Sequence, residues 1–286
     1  MTIPATGSRT QLSPADFGFL REYLYQNSAM LLQENKEYLV VSRLVPVAEE
    51  FGLESLGQLI AELRRGARSH VATRVVEAMT INETLWFRDV RPFFALRDRI
   101  IPELLRLRGS ARRLSIWSAA SSTGQELYSA AMLLDSHFPT LEAWNLTLLG
   151  TDINETVVHK AREGRYSTVE MNRGLPAEML ARYFVRQGGH YQISERIRRR
   201  TRFSAMNLAR PWPLMPEFDV IMLRNVLIYF DPETRGRVLG QAMSRLAPGG
   251  YLILGAGEAI YSGLSGLEPI YVDGTTYYRR NGGGGA

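Results

Sequence analysis

Hydrophobic positions divide this chain into two regimes. Up to about residue 80 they recur every three to four residues, the spacing of one helix face. Ser13-Pro14-Ala15-Asp16 reads as a helix start, with a capping serine, a proline in the first turn and an acid behind it. Phe17, Leu20 and Leu24 continue it as an apolar stripe. A second helical pattern covers residues 35–51 with Tyr38, Leu39, Val41, Leu44, Val45 and Ala48, and Pro46 is a point where it can kink. A third begins at Ser55 and carries Leu56, Leu59, Ile60 and Leu63; a fourth covers 67–79 with Val71, Val75, Val76 and Met79. No strand pattern intervenes, so residues 10–80 are expected to form a small helical domain.

Beyond residue 80 short apolar runs alternate with helical stretches, the rhythm of an α/β sheet. Residues 82–89, NETLWFRD, mix polar and aromatic side chains without a period, at a junction where a ligand cleft is common. Leu85, Trp86 and Phe87 there also suit a plain aromatic anchor. Pro92 opens a helix expected to run to about 108. The central stretch, 113–130, is a β-prone run (Leu114, Ile116, Trp117), a loop of small residues from Ser118 to Gly124, and a helix-prone run from Glu126. Residues 144–151 form a second buried strand that ends in Asp152, and Asn154 can cap the next helix, to about 164. After Gly188-Gly189, the runs 190–193 and 197–203 suggest a small antiparallel insertion near 188–203, with Arg196, Arg198, Arg200 and Arg202 on one strand face. Asn207-Leu208 follows. Residues 218–223 are a third strand with Arg224-Asn225 at its carboxyl end. Asp231-Pro232 starts a helix to about 246, Ala247-Pro248-Gly249-Gly250 turns into a strand at 251–254, and a hairpin closes on Asp273-Gly274. Residues 81–280 therefore read as one α/β domain, and the Gly-rich tail 281–286 is expected to be disordered.

The loop at 118–124 permits two readings. A ligand can approach its backbone and the helix N-terminus behind it, or it is an ordinary strand-to-helix turn; the dinucleotide fingerprint GxGxxG is absent. Asp152, at the carboxyl end of the second strand, is placed to bind ribose hydroxyls, or else is a neighbour of the Asn154 cap. Composition narrows the classes. With 45% hydrophobic and 22% charged residues in 286, the chain is globular, and its net charge of +5 favours an acidic partner without selecting one. Lys36, Arg43, Arg64, Arg65, Arg68 and Arg74 in the helical region make either a solvated face or a docking surface. The absence of cysteine excludes a disulfide, a thiolate zinc site and a cysteine nucleophile. The N-terminus has no signal-peptide core, and the most apolar run, 218–230, is too short for a bilayer and is broken by Asp219, Arg224 and Asn225. A cytoplasmic protein is expected, without membrane insertion.

In order, NETLWFRD, WSAASSTGQELYS, GTDIN, FDVIMLRNVLIYFD and LAPGGYLILGAGE, preceded by a helical domain, closely resemble the CheR family of chemotaxis receptor methyltransferases, class I enzymes dependent on S-adenosylmethionine (SAM). The resemblance implies a Rossmann-like methyltransferase sheet with a small N-terminal helical domain and a small antiparallel β insertion. It implies SAM contacts at Asn82, Thr84, Arg88, Glu126 and Asp152, with Asn207-Leu208 and Arg224-Asn225 closing the adenosyl pocket. It places Arg88 and Tyr229 beside the transferred methyl as catalytic residues, and involves no metal. The implied partner is the glutamate-bearing cytoplasmic bundle of a chemoreceptor, docked on the helical domain. The insertion resembles the subdomain that captures a tethering peptide in some members; its short loop here favours a form without the tether. The chain departs from the family in having Ala120-Ser121 in the loop and Gln125-Glu126-Leu127 after its glycine. Two rivals are a nucleic-acid methyltransferase, for which no base-flipping motif or interleaved basic and aromatic strip appears, and a SAM-sensing adaptor without catalysis, against which Arg88 and Tyr229 count.

Overall fold

The computed structural model describes residues 9–66, 69–260 and 265–282. They form two compact units, one of residues up to 81 together with Tyr229–Thr234, the other of Asn82–Ile228 and the chain from Arg235 onward.

The first unit is helical. Helix α1 (Pro14–Ser28) starts where Ser13 Oγ accepts from the Asp16 N–H at 3.1 Å, and it stops at Ala29 in the left-handed region, φ 55°. Helix α2 (Glu37–Glu50) runs through Pro46 without a break and buries Val40, Leu44, Val47 and Ala48. Tyr38, expected on that face, is exposed instead. Helix α3 (Leu56–Arg64) is capped by Ser55, and α4 (Ser69–Met79) follows. The arginines of this unit are largely committed to it. Arg43 Nη1 donates to the carbonyls of Met79 at 2.8 Å and Thr80 at 3.1 Å, which occupies backbone acceptors at the end of α4. Arg74 pairs with Glu50 and Glu77, Arg64 with Asp16 and Arg65 with Glu62. Arg68 lies outside the described residues. The Tyr229–Thr234 segment joins this unit through the Leu31 N–H, which donates to the Tyr229 carbonyl at 3.1 Å, and through Tyr25 Oη, which donates to Asp231 at 3.1 Å.

In the second unit the helix expected from Pro92 is three pieces: α5 (Arg91–Ala95), a π-helical turn at Leu96–Ile100, and α6 (Ile101–Leu107). Pro102 has no N–H to give to the carbonyl four residues back, and the Ile101 N–H reaches Leu96 instead, so the wider turn absorbs the proline. Strand β1 (Arg113–Ala119) leads into α7 (Gln125–His137), β2 (Asn145–Asp152) into α8 (Glu155–Glu163). Next come β3 (Arg165–Ser167), α9 (Thr168–Met171), α10 (Ala177–Tyr183), β4 (Phe184–Gln187), β5 (His190–Ile193), α11 (Glu195–Arg198) and β6 (Thr201–Ala205). The chain ends with β7 (Phe218–Leu223), α12 (Pro232–Ser244), β8 (Leu246–Leu254), β9 (Leu267–Val272) and β10 (Thr275–Arg280).

Seven strands make the main sheet in the order β6-β2-β1-β7-β8-β10-β9, and β10 alone runs against its neighbours. This is the Rossmann-like order of class I methyltransferases, closed by the hairpin at Asp273 (φ 51°) and Gly274 (φ 72°). The expected turn at 247–250 is a bulge inside β8, where Leu246 pairs Phe218 and Tyr251 pairs Val220. One buried acid sets the register at the amino ends of β1 and β7. Asp219 accepts from the Ser115 N–H at 2.8 Å and Arg108 Nε at 2.7 Å, while its own N–H donates to Ser115 Oγ at 3.0 Å.

The small antiparallel sheet exists, in the order β3-β5-β4, but it spans 165–193 rather than 188–203. Residues 197–203 are not its strand. Arg196 and Arg198 lie on the helical turn α11, where Glu195 pairs Arg198 three residues on and Arg199 four residues on. Thr201–Ala205 is the edge strand of the main sheet. The four arginines therefore share no strand face; Arg196 at 2.9 Å and Arg200 at 3.3 Å meet on the buried Asp135, which also accepts from Tyr183 Oη at 3.0 Å. Of the tail, residues 283–286 lie outside the described residues.

Gly150 in β2 is a close-approach position. A Cβ there would stand 2.5 Å from Phe203 Cδ1 and 2.9 Å from Ser121 Oγ, inside both contacts. Gly150→Ala is expected to cost about 1–3 kcal/mol, as overpacked core positions do, and to lower the midpoint of thermal unfolding followed by circular dichroism.

Candidate active site

The carboxyl ends of β2, β1 and β7 carry Asp152, the loop leading to Glu126, and Arg224-Asn225, at the edge where open α/β sheets bind ligands; Asn82, Thr84 and Arg88 precede β1, and Asn207-Leu208 follow β6. The loop after β1 is built from small residues because its backbone passes repeatedly through the left-handed region, at Ala120 (φ 61°), Ser122 (φ 49°) and Gly124 (φ 93°). Asp152 holds it from the neighbouring strand. Its carboxylate accepts from the Ser122 N–H at 2.9 Å and from the Asn154 N–H at 3.0 Å, while Asn154 caps α8. Asp152 thus does more than sit beside a cap: it ties the loop after β1 to the start of α8. Ser122 Oγ donates to the Asn82 carbonyl at 2.7 Å, which brings the polar end of NETLWFRD to the same loop.

That segment is strained and firmly anchored. Phe87 (φ 49°), Asp89 (φ 66°) and Val90 (φ 51°) all occupy the left-handed region, which costs non-glycine residues of order 1–3 kcal/mol each. The anchor is Trp86, fully buried edge-on to Tyr166 at 4.9 Å and Phe184 at 5.3 Å, with Nε1 donating to the Glu170 carbonyl at 3.1 Å. Trp86 therefore bears out the aromatic-anchor reading of NETLWFRD, while among its polar residues Glu83 pairs with Arg173 at 2.7 Å. Thr84 is half-buried within it.

Arg224, at the end of β7, is the centre of the arrangement. Its side chain is fully buried. Nη1 donates to Glu126 Oε2 at 2.6 Å; Nη2 donates to Asp89 Oδ2 at 2.7 Å and to the Arg88 carbonyl at 2.8 Å. Ser118 Oγ donates to the other Glu126 oxygen at 2.8 Å. One guanidinium therefore links β7, the first turn of α7 and the strained turn at 88–89. Burial pushes the Glu126 carboxyl above its ordinary value, opposed by Arg224, the Ser118 hydroxyl and the more distant Arg88. Arg88 is half-buried, and its Nη1 donates to the Glu83 carbonyl at 3.0 Å. A guanidinium carries five donors, so this bond orients Arg88 without exhausting it.

Asn225 follows with φ 57°, and Asn207 and the buried Leu208 lie just after β6, where Asn207 Oδ1 accepts from the Ala209 N–H at 2.9 Å. Tyr229 belongs to the helical unit. The structure thus brings the sequence-selected residues into two bonded sets, one of Asn82 and Asp152 and one of Arg88, Glu126 and Arg224, held together by Ser122 in the first and by Ser118 and Asp89 in the second. The last three were not selected from sequence. Ser118 and Ser122 sit in a loop whose small residues were the signal; Asp89 has none beyond its place in the motif.

SAM fits this residue set on chemical grounds. Its ribose diol needs an acceptor at the end of the second strand, and a carboxylate offers about four acceptor sites, so Asp152 can hold two amides and hydroxyls together. A positively charged α-ammonium and sulfonium suit a loop flanked by Glu126 and Asp152, and Ser121 Oγ is buried in that loop with no hydrogen-bond partner among the described residues.

The sheet order and the carboxylates at its ligand edge define a SAM-dependent methyltransferase of class I. The chain belongs to the CheR methyltransferase family: the SAM-binding domain of that family matches residues 82–270, and its all-alpha domain matches residues 15–80. It is 42% identical over 251 residues to chemotaxis protein methyltransferase 1 of Pseudomonas aeruginosa, covering 86% of this chain and 90% of the relative. It is 40% identical to chemotaxis protein methyltransferase Cher2 of Pseudomonas putida, over 90% of this chain and 93% of that one. Against the chemotaxis protein methyltransferase of Vibrio parahaemolyticus the identity is 38%, over 87% and 90%. The protein is an enzyme that takes its methyl group from SAM. Among the described residues no helix is long and apolar enough to cross a membrane, and no cluster of His, Asp or Glu side chains could hold a metal ion.

Proposed function

We propose that this enzyme methylates glutamate γ-carboxylates on the cytoplasmic helices of chemoreceptors, giving γ-glutamyl methyl esters for sensory adaptation, and that it does so in the cytoplasm. The observation that supports the reading is the Arg224-centred network, which ties the backbone at Arg88 to Glu126 at the end of the small-residue loop. When bound, SAM supplies an electrophilic methyl on a sulfonium centre. The acceptor needs no general base: a glutamate carboxyl with a reference pKa of about 4.3 is already an anion near neutrality. What remains for the chain is alignment and exclusion of water. Glu126 accepts from the ammonium of the donor and Asp152 from its ribose hydroxyls, while Asn82, Thr84, Asn207, Leu208 and Asn225 form the walls. Arg88 steers the acceptor carboxylate with a charge-assisted hydrogen bond, and the Tyr229 hydroxyl orients it. Arg224 acts through its neighbours, since both of its terminal nitrogens, Nη1 and Nη2, already donate to protein groups.

The names of the relatives support the chemoreceptor as substrate class. We further propose that no tethering peptide is needed, because the β4–β5 hairpin turns on Gly188-Gly189 alone and offers little loop to hold a peptide. The test uses tritiated SAM with a receptor cytoplasmic fragment and, separately, with RNA. Label on the receptor that is released by base supports the proposal; label on RNA, or SAM binding without transfer, overturns it. Arg88→Ala and Tyr229→Phe are each expected to stay folded and to lose about 100-fold in transfer rate, the scale of misaligned reactants. A saturable calorimetric signal with a receptor C-terminal peptide would overturn the tether-free form.

A further inference from the structure

The loop that carries Arg224-Asn225 has no strand neighbour at its own level, yet its backbone amides converge on one side chain. Glu258, three residues beyond Gly255 at the end of β8, accepts from the N–H groups of Asn225 at 2.7 Å, Val226 at 2.9 Å and Leu227 at 2.7 Å. It also accepts from Ile228 at 3.3 Å and from Gly255, on its own loop, at 2.8 Å. Successive amides aimed at one point make a nest for an anion, and here the anion is built into the chain. The loop needs such a partner. Asn225 turns the backbone into the left-handed region, which takes the following amides off the strand ladder, and a buried amide without an acceptor costs of order 1–3 kcal/mol. The approach is close enough that a Cβ on Gly255 would stand 2.7 Å from Glu258 Oε2 and 2.8 Å from the Asn225 nitrogen. The glycine leaves room for the carboxylate to lie flat against both loops.

We propose that Glu258 is a positioning residue for the methyl-transfer site: its carboxylate clamps the loop after β7 to the loop after β8 and thereby sets the pocket wall formed by Asn225. The inference rests on the SAM site described above. Arg224 fixes that loop through its side chain toward α7, and Glu258 fixes it through the backbone from the other side. Both are needed because the strand itself ends at Leu223. A carboxylate is specifically required. A neutral amide has one acceptor and would turn an NH2 toward amides that are themselves donors.

Glu258→Gln tests this, with Glu258→Asp as the variant that keeps both oxygens on a shorter arm. Hydrogen exchange of residues 225–228, S-adenosylhomocysteine affinity by calorimetry, and steady-state methyl transfer are measured on the full chain. For Glu258→Gln we expect exchange at these amides to rise at least tenfold, affinity to fall about tenfold and kcat to fall as well, with the thermal midpoint close to the parent's. Glu258→Asp should recover part of each loss. Unchanged exchange and affinity in Glu258→Gln would overturn the proposal, as would losses that merely track a lowered unfolding midpoint in both variants. Failure of the parent to bind S-adenosylhomocysteine would overturn the SAM site itself, while the exchange data would still report whether the clamp exists.

Discussion

Arg224→Met should leave a protein that no longer transfers methyl groups and is less stable by about 3–5 kcal/mol, the usual cost of removing one partner from a buried ion pair. The substitution keeps most of the side-chain volume but strips the donors from Glu126, Asp89 and the Arg88 carbonyl together. Glu126 is then buried beside Ser118 without its cation, and its carboxyl is pushed further above the ordinary range. The sign of the pH effect follows. A carboxyl whose folded-state value lies above its unfolded one binds more protons when folded, so the variant should recover stability as pH falls from neutrality toward the ordinary carboxylate range. Urea unfolding across that range checks the slope. Adding Glu126→Gln to Arg224→Met should restore part of the stability at neutral pH and none of the activity, because the unpaired charge is gone while the strained turn at 88–89 remains unsupported. Arg224→Lys keeps a charge but not the fork that reaches two carboxylates and a carbonyl at once, and should fall between parent and Met variant in stability while transferring at under a tenth of the parental rate.

Asp152→Asn should weaken S-adenosylhomocysteine binding by about 100-fold or more in calorimetry. A hydrogen bond to a charged acceptor is worth about 1.5–3 kcal/mol, and a diol makes two of them. The same change disturbs the unbound loop, since the new NH2 must face either the Ser122 or the Asn154 N–H that the carboxylate now accepts. Asp152 therefore contributes twice, by contact and by holding the loop in the shape that the contact requires. Parental affinity in a folded Asp152→Asn protein would remove Asp152 from the site.

These two residues mark how far the sequence could be read. The strand, small-residue loop and helix at 113–130, the acid ending the next strand and the closing hairpin are all local signals, and each becomes the element that its pattern describes. Asp152 could be selected because its chemistry follows from its place at a strand end. Arg224 could be located in the same way, but its partners lie on segments about 100 and 135 residues earlier in the chain, and no local pattern states that its side chain turns inward. Glu258 is of the same kind, an acid after a glycine-rich turn whose acceptors meet amides from another loop. The misread stretch at 197–203 failed for a different reason. Arginines at alternating positions suit one face of a strand, yet Arg198 and Arg199 also stand three and four residues after Glu195, and those pairs hold a helical turn. The basic residues of the first unit likewise suggested a solvated face or a docking surface, whereas Arg43 of α2 is spent on carbonyls at the end of α4, and Arg74 of α4 on carboxylates of α2 and α4.

Asp219 gives the sheet a further property. By locking β7 to β1 through Ser115, and to Arg108, which also donates to the Pro248 carbonyl at 2.7 Å, it fixes strand alignment at the end opposite the ligand. Alignment and recognition therefore draw on separate residues. Changes in the loops at the carboxyl ends therefore need not slip the strands, a shift that would turn every side chain to the wrong face. Substitutions in those loops should accordingly act on the site without shifting the strands, provided that Ser115, Asp219 and Arg108 are left untouched.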